Sequence, residues 1–279
     1  MRYNQILVAV DLTHDVCRLV QRAGKLAQRL GARLHLLTVL PLDESFSGLV
    51  DAQRVAQLKR ESLEYLNRQM IGISCLLGEC RVESGHVAEI IQQTMAELEC
   101  DLLVMGQHHP EGMLLELRSH LVNAVLPHHS YDLMLLDSDR PFWGQPVQFQ
   151  LAIELNEVGF GLLHRSEALS RRLGAELTVL HVQTQTVEDV DNPAPQEAEI
   201  RLRRAEHQLA DWLAGLPRAP RRWQIVQGDA GDVMRQALLS PQTHLLIVGA
   251  GKSEHPHLSM GSHIHSLLQQ HRGDLLILH

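Results

Sequence analysis

The sequence is poor in aromatic residues, in paired cysteines and in long apolar runs. Phenylalanine, tryptophan and tyrosine together make up 4% of the 279 residues, so the cores must be built from leucine, valine, isoleucine and alanine. All cysteines lie in the first half, with no C-x-x-C spacing: Cys17, Cys75, Cys80 and Cys100. This distribution predicts isolated reduced thiols rather than disulfides or a zinc site.

Apolar runs and charge exclude two further classes of protein. No run approaches the roughly 18 apolar residues of a spanning helix, and residues 1–4 lead directly into a strand pattern rather than a signal peptide. These features predict a cytoplasmic protein that does not act on membranes. The formal net charge of −8 leaves no basic footprint for nucleic acid.

Apolar strands alternate with amphipathic helices along the first half. The predicted strands are Ile6–Val10, Leu34–Leu40, a short one from Cys80 to Val82, Leu102–Met105 and Leu133–Leu136. The predicted helices are Val16–Leu30, Asp51–Met70, Val87–Leu98 and Ser119–Leu126. This alternation predicts an α/β fold whose parallel sheet is covered by helices on both faces.

The second half repeats the first at an offset of 143 residues. The segment Arg29–Ala32 recurs as Arg172–Ala175, and the offset also aligns Leu133 with Leu276. The duplication predicts two tandem five-stranded parallel-sheet domains, at residues 1–138 and 149–279. Residues 139–148 are polar and contain proline, which is typical of a linker.

The strongest local motif lies in the stretch Leu245–Ser262. An apolar strand runs into Gly249-Ala-Gly251, nine residues intervene, and Gly261-Ser262 precedes a segment of helical periodicity. Glycines let a backbone approach an anion closely, and the first turn of a helix offers unpaired N–H groups to it. A tight turn followed by a helix N-cap explains the same residues, so the pattern alone leaves both interpretations open.

Three features of the two halves belong together: the opening Val8–Thr13 (VAVDLT), the strands that end at Gly106 and Gly249, and the Gly-Ser after the second loop. In these features the chain resembles tandem universal stress proteins. The resemblance covers both halves. It implies a doubly wound, Rossmann-like fold of the adenine nucleotide α-hydrolase type, and many members of that family bind ATP. Their phosphate loop reads G-x-x-G, nine residues, G-[S/T], whereas the first spacing here is one residue shorter.

The resemblance implies a site for ATP or another adenine nucleotide in the second half. Glu154 would lie at the nucleoside end, the backbone of Val182 would meet the adenine, and Gly249 and Gly251 would pass under the ribose and phosphates. Phosphate oxygens would meet Gly261, Ser262 and His263. No metal is implied beyond Mg²⁺ carried by the nucleotide. A carboxylate favoured by the dipole of a helix N-terminus is the alternative explanation of Glu154.

The first half retains only part of this set. Its weaker candidates are Asp11, Val39, Gly106 and Ser119. His108 stands in place of Gly251, and Arg118 in place of Gly261. Side chains there would occupy the volume that phosphates need, and a positive φ would become costly. We therefore predict that the first half does not bind ATP in the family's way.

Most of the 18 histidines lie around the two loop-and-helix segments. His263 and His265 are two apart on a predicted helix and do not share a face, so we predict no metal site and favour a pH-sensitive surface.

Three functions remain open. The first is a stress-response protein that binds ATP as a regulatory ligand read by an unknown protein partner. The second is a scaffold of the same family without a nucleotide, and the third is a slow ATPase or a self-phosphorylating protein modified at Ser262. The resemblance further implies that the two repeats pair as an intramolecular pseudo-dimer, and it leaves a homodimer open.

Overall fold

The computed structural model describes residues 2–12, 16–40, 52–107, 121–122, 124–125, 131–183, 195–251, 264, 267–268 and 272–279. The chain divides into two compact units between Phe142 and Trp143. This division falls inside the segment 139–148 that the composition marks as a linker. Trp143 is 3% exposed, and residues 147 and 148 are already part of a strand.

Within its described residues, the first unit contains five strands and three fully described helices. The strands are β1 (Gln5–Ala9), β2 (Arg33–Leu40), β3 (Leu76–Ser84), β4 (Leu102–Gly106) and β5 (Asp132–Leu136). The helices are α1 (Val16–Leu30), α2 (Ala52–Gln69) and α3 (Val87–Glu97). Residues 121, 122, 124 and 125 are also helical, within the helix predicted at Ser119–Leu126.

The second unit repeats this series. Its strands are β6 (Val147–Ile153), β7 (Ala175–Gln183), β8 (Arg222–Gln227), β9 (Leu245–Gly249) and β10 (Leu275–Leu278). Its fully described helices are α4 (Glu157–Leu173), α5 (Pro195–Ala214) and α6 (Ala230–Leu239). Residues 264, 267 and 268 are helical as well. Within the described ranges no helix combines the length and the apolar composition that a membrane crossing requires.

Both units have the same strand order, and every described pair of neighbouring strands is parallel. The order is β3-β2-β1-β4-β5 in the first unit and β8-β7-β6-β9-β10 in the second. The chain reverses direction across the sheet between β1 and β4, and again between β6 and β9. In such doubly wound sheets the carboxyl ends of the strands at the reversal open a crevice, which is where ligands bind. The predicted fold class is confirmed.

Strands β5 and β10 lack the alternation of buried and exposed side chains that is typical of a half-exposed sheet. All five residues of β5 and all four of β10 are buried, as expected for strands of a parallel sheet. Helix α1 buries the apolar side chains that recur at helical spacing, from Val16 through Leu19 and Leu26 to Leu30. The apolar runs in the sequence therefore identified the core correctly.

Strand β3 begins at Leu76, four residues before the predicted start at Cys80. A β-bulge conceals this part, because Leu34 pairs with Leu77 whereas Leu36 pairs with Cys80. As an edge strand β3 also keeps Leu76 and Leu77 exposed, so its burial pattern gave no signal.

The side chain of His35 holds the bulge in place. Its Nδ1 accepts a hydrogen bond from the backbone N–H of Glu79 at 3.0 Å, and its Nε2 donates to Oε1 of Gln5 at 3.0 Å. A Cβ atom at Gly78 would lie 2.5 Å from the ring, so only glycine fits there. Burial lowers the pKa of His35, and the nearby charges of Arg33 and Arg81 add to this against the opposing charge of Glu79.

The last strand of the second unit departs from the constant offset of 143. Leu103 pairs with Leu133 in the first unit, and its counterpart Leu246 pairs with Leu275 in the second. The structural offset of β5 and β10 is therefore 142, and the alignment of Leu133 with Leu276 was wrong. One residue is missing between β9 and β10, and leucine-rich strands give the same apolar match in either register.

The corrected offset aligns two buried carboxylates at the start of these strands. Asp132 is 3% exposed and accepts a hydrogen bond from the hydroxyl of Tyr3 at 2.6 Å. Its counterpart Asp274 is 1% exposed and accepts one from the indole N–H of Trp143 at 2.6 Å. In each unit, an aromatic donor that precedes the first strand is thereby tied to the last strand of the same sheet.

We expect Tyr3→Phe to lower the free energy of unfolding by about 2 kcal/mol, because a buried carboxylate loses a donor while the ring is retained. Urea unfolding followed by circular dichroism measures the change. Tyr65→Phe is the matched control: Tyr65 is 39% exposed on α2, and the same substitution there should change stability by less than about 0.5 kcal/mol. Equal effects of the two substitutions would contradict this role of Asp132.

The buried His35 should make stability depend on pH. Protonation removes the Nδ1 lone pair that accepts the Glu79 N–H, so the folded state binds a proton less tightly than the unfolded state. Neutral His35 contributes fully above its ordinary pKa of 6.5. This contribution is lost progressively as the pH falls below 6.5, because the unfolded state then binds more protons, and the loss levels off below the folded pKa.

His35→Asn should therefore show a weaker fall in stability between pH 7.5 and pH 5.5 (roughly the range over which an ordinary histidine titrates) than the wild type. Urea midpoints across this range provide the measurement. His207→Asn, at an exposed position of α5, should keep the wild-type slope. Identical slopes for His35→Asn and wild type would show that His35 does not set the pH dependence.

Candidate functional site

The crevice of the second unit lies where β6 and β9 end side by side. Leu151 of β6 pairs with Ile247 of β9, so Glu154, three residues further along its strand, is level with Ala250. Val182 lies near the end of β7, and β7 pairs with β6 through Ile153 and His181. The structure thus brings Glu154, Val182 and the start of the glycine loop to one edge of one sheet.

Glu154 occupies a tightly connected turn between β6 and α4. Its carboxylate accepts a hydrogen bond from Nδ2 of Asn156 at 2.9 Å, and Oδ1 of Asn156 accepts one from the backbone N–H of Gly159 at 2.8 Å. Asn156 is therefore the N-cap of α4. A Cβ atom at Gly159 would collide with the carbonyl oxygen of Glu154, so glycine is needed for the turn to lie this close to the helix.

A second hydrogen bond holds the same turn from α5. Nε2 of Gln208 donates to the carbonyl oxygen of Leu155 at 3.1 Å. The Glu154 side chain is exposed and lies beside the positive end of the α4 dipole. The turn is thus fixed from two helices while its carboxylate stays open to solvent.

Gly249 ends β9 and Gly251 follows it in the loop, and the structure requires glycine at the two positions for different reasons. A Cβ atom at Gly249 would lie 2.5 Å from Cδ1 of Leu162, so this glycine permits close packing of α4 on the strand. Gly251 has φ +71°, a left-handed conformation that side chains rarely adopt, and is exposed. Between them, Ala250 donates its backbone N–H to the carbonyl oxygen of Leu278 at 2.8 Å.

The remainder of the predicted phosphate loop lies outside the described residues. This applies to Gly261, Ser262 and His263 in the second unit, and to Ser119, His108 and Arg118 in the first. Their assignment to a phosphate site stays a prediction.

The profile of the universal stress protein family matches the chain twice, over residues 2–130 and 151–279. The chain belongs to the universal stress protein family. It contains two copies of the domain in tandem, as the duplication and the strand orders independently indicate.

Relatives and solved structures agree with this assignment. Universal stress protein A of Salmonella typhi is 28% identical over 131 residues, which are 45% of this chain and 90% of that protein. A universal stress protein of Archaeoglobus fulgidus DSM 4304 has a similar fold, with a TM-score of 0.69 at 13% identity over 99% of this chain and 96% of that one. A protein of Pseudomonas aeruginosa PAO1 described as functionally unknown, PA1789, gives 0.67 at 17% identity over 99% and 92% of the two chains.

In each universal stress protein repeat, a polar side chain that sequence reasoning missed ties the second strand to the backbone at the end of the first strand. In the first, Oγ1 of Thr38 donates to the carbonyl oxygen of Val10 at 3.0 Å. In the second, Nδ1 of His181 is 3.0 Å from the carbonyl oxygen of Ile153 and acts as the donor. Thr38 and His181 are separated by the repeat offset of 143. The sequence signal for both hydrogen bonds was a polar residue within an otherwise apolar strand pattern.

The first universal stress protein repeat keeps the backbone of this crevice. Asp11 lies two residues after β1 and is exposed, whereas Val39 is the penultimate residue of β2, Gly106 ends β4, and both are half-buried. Gln107 is 2% exposed and donates its backbone N–H to the carbonyl oxygen of Leu136 at 2.7 Å, as Ala250 does in the second repeat. The two crevices therefore differ in side chains rather than in strand arrangement.

No cluster of three or more histidine, cysteine, aspartate or glutamate side chains that could hold a metal ion occurs in the part of the chain that the structure describes. Most of the histidines that the sequence places near the two loops lie outside it. Cys100 is buried, and burial together with the charge of Asp101 raises its pKa to about 12. This thiol is therefore protonated at neutral pH and unsuited to metal binding or redox chemistry.

Close packing at Gly249 predicts an energetic coupling with Leu162. We expect Gly249→Ala to destabilise the fold by about 1–3 kcal/mol, because the new methyl group meets Cδ1 of Leu162. In the background of Leu162→Ala the same substitution should cost much less, so that the two changes are not additive. Urea unfolding of the four proteins of this cycle provides the coupling energy.

Gly144→Ala is the control for that cycle. A Cβ atom at Gly144 has no neighbour within 4 Å, so the change should alter stability by less than about 0.5 kcal/mol. Additive effects of the Gly249 and Leu162 substitutions would show that contact with this leucine is not the reason for the glycine.

Proposed function

We propose that the second repeat binds ATP or a related adenine nucleotide as a regulatory ligand, and that a protein partner reads the bound state in a stress response. The observation that carries this proposal is the left-handed, exposed Gly251, which follows β9 at the point where the strand order reverses. A backbone in this conformation presents N–H groups without a Cβ atom in front of them, which suits a phosphate.

The surrounding residues fit the rest of a nucleotide. The Glu154 carboxylate is exposed at the adjacent strand end and is held by Asn156, so it is positioned to accept hydrogen bonds from ribose hydroxyls. The end of β7 at Val182 offers backbone groups to a base edge. The residues Gly261, Ser262 and His263 would complete the phosphate contacts at a helix N-terminus. Each of these groups would bind or orient the nucleotide, and none of them is assigned a catalytic step.

The first repeat is proposed not to bind the nucleotide in this way. Its backbone follows the same strand order, but His108 replaces the left-handed glycine. Such a side chain would require a strained conformation to keep the same loop path. The first repeat therefore serves as an internal reference for the second, because it has the same strand order and a different loop sequence.

A family scaffold that binds no nucleotide is the second candidate function, and two contacts favour it. The Glu154 carboxylate already has a hydrogen-bond donor in Asn156. The absence of a side chain at Gly249 is explained by the contact with Leu162. Both residues thus have structural roles that require no ligand, and the decision rests on direct measurement of binding.

Isothermal titration calorimetry with ATP and Mg²⁺ tests the proposal. The wild type should bind, whereas Gly251→His and Gly261→Arg, which copy the first repeat, should weaken binding about tenfold or more because they remove the close approach of the backbone. Glu154→Gln should weaken binding as well, and Asp11→Asn at the corresponding place of the first repeat should not.

Gly72→His is the matched control for backbone strain. Gly72 has φ +83° and open space around it in the first unit, so this variant carries a comparable left-handed substitution remote from the crevice and should bind like the wild type. Absence of heat with the wild type would instead support the scaffold. Phosphate release followed over hours distinguishes a retained ligand from a slowly hydrolysed one.

A further inference from the structure

A cavity lies in the second unit, at the opposite edge of the sheet from the crevice that we propose for the nucleotide. It has a volume of ≈ 280 Å³ and lies between the last turns of α4, the first residues of β7 and the segment that leads into β8. This volume is slightly below the roughly 300–1,000 Å³ of pockets for drug-sized ligands, so its occupant must be small. The charged residues that line it are Glu167, Arg171, Glu176, Arg218 and Arg221.

The floor of the cavity contains a buried carboxylate. Glu167 is 4% exposed, and its Oε1 has no hydrogen-bond partner among the described residues. The nearest cation is Nε of Arg171 at 3.6 Å, which is an ion pair without a hydrogen bond. A buried carboxylate oxygen without a donor is costly, and such groups in native proteins call for an explanation. A ligand that brings an N–H donor into the cavity supplies one.

The rim of the cavity carries a surplus of positive charge. Arg221 pairs with Glu176, which also accepts a hydrogen bond from Gln148. These two bonds, and the charges of Arg221 and Arg218, lower the pKa of Glu176 and keep it ionised. Arg218 is exposed and makes no hydrogen bond or ion pair with any residue that the structure describes. Its guanidinium is available to an anionic group.

The first unit does not contain this arrangement. The repeat offset places Gly24 opposite Glu167, and a Cβ atom at Gly24 would lie 2.7 Å from Cγ2 of Ile73, which fills the space. Cys75 and Gly78 correspond to Arg218 and Arg221. The fold therefore forms without these charges, and no structural requirement of the repeat accounts for Glu167.

We propose that this cavity binds a small zwitterion of the amino-acid type, whose ammonium group meets Glu167 and whose anionic group meets Arg218. A bare anion would leave the carboxylate of Glu167 without a donor. A bare cation would leave Arg218 without an acceptor and would lie close to three guanidinium groups. Only a molecule with both charges satisfies the floor and the rim together.

Differential scanning fluorimetry with the common amino acids and β-alanine, each at millimolar concentration, tests this proposal. At least one zwitterion should raise the unfolding midpoint by several degrees. Propylamine, propionate and inorganic phosphate each lack one of the two charges and should not. Titration calorimetry with that zwitterion should show binding weakened about tenfold or more in Glu167→Gln and in Arg218→Gln.

Glu199→Gln and Arg203→Gln are the matched controls, because these residues form an exposed ion pair on α5 outside the cavity; both variants should bind like the wild type. Arg218 is exposed, so its variant tests the site even where Glu167→Gln is unstable. Gly251→His should also retain the zwitterion, which separates this site from the nucleotide crevice. The proposal is overturned if no zwitterion shifts the midpoint, or if phosphate alone does so and the shift survives in Glu167→Gln.

Discussion

The structure of each unit depends on its first strand being paired on both sides, with β2 or β7 on one flank and β4 or β9 on the other. This pairing makes the chain reverse direction across the sheet beside β1 and β6. The residues that follow the paired strands then lie at one edge, whatever their chemistry. By the strand registers, Asp11 is level with Gln107 in the first unit, and Glu154 is level with Ala250 in the second. The crevice is thus a property of topology, and its selectivity is a property of a few side chains.

The two units show how a duplicated scaffold distributes different chemistry over one backbone. Thr38 and His181, at equivalent positions of the repeat, both donate a hydrogen bond to a carbonyl at the end of the first strand. Tyr3 and Trp143 stand at different positions before the first strand of each unit, and both donate to a buried aspartate. Elsewhere the two units diverge. The side chain of Ile73 fills the space beside Gly24, whereas Glu167, at the equivalent position of the second unit, lines a cavity.

The sequence was sufficient for the fold because its signal was apolar periodicity repeated twice, and buried parallel strands depend on little else. It was insufficient for β3, whose exposed leucines and bulge at Gly78 disguise an edge strand. It also aligned β10 with β5 one residue out of register, because leucine-rich strands match equally well in adjacent registers. Around the crevice it singled out Glu154 and Gly251, whose binding roles stay a prediction, but not Asn156, Gln208 or His181. Gln208 and His181 act through hydrogen bonds to backbone atoms distant in sequence, which no local pattern encodes. Asn156 is instead a local N-cap, and an asparagine just before an amphipathic segment was its available signal.

The aromatic residues that tie the first and last strands together also divide between the units by type. The three tryptophans, Trp143, Trp212 and Trp223, lie in the second unit, and the three tyrosines, Tyr3, Tyr65 and Tyr131, lie in the first. Trp143 is buried edge-on against Phe149, with ring centroids 5.1 Å apart. Selective excitation of indole therefore reports on one repeat alone. Indole fluorescence thus provides a signal for the unfolding of the second unit that is separate from any signal of the first.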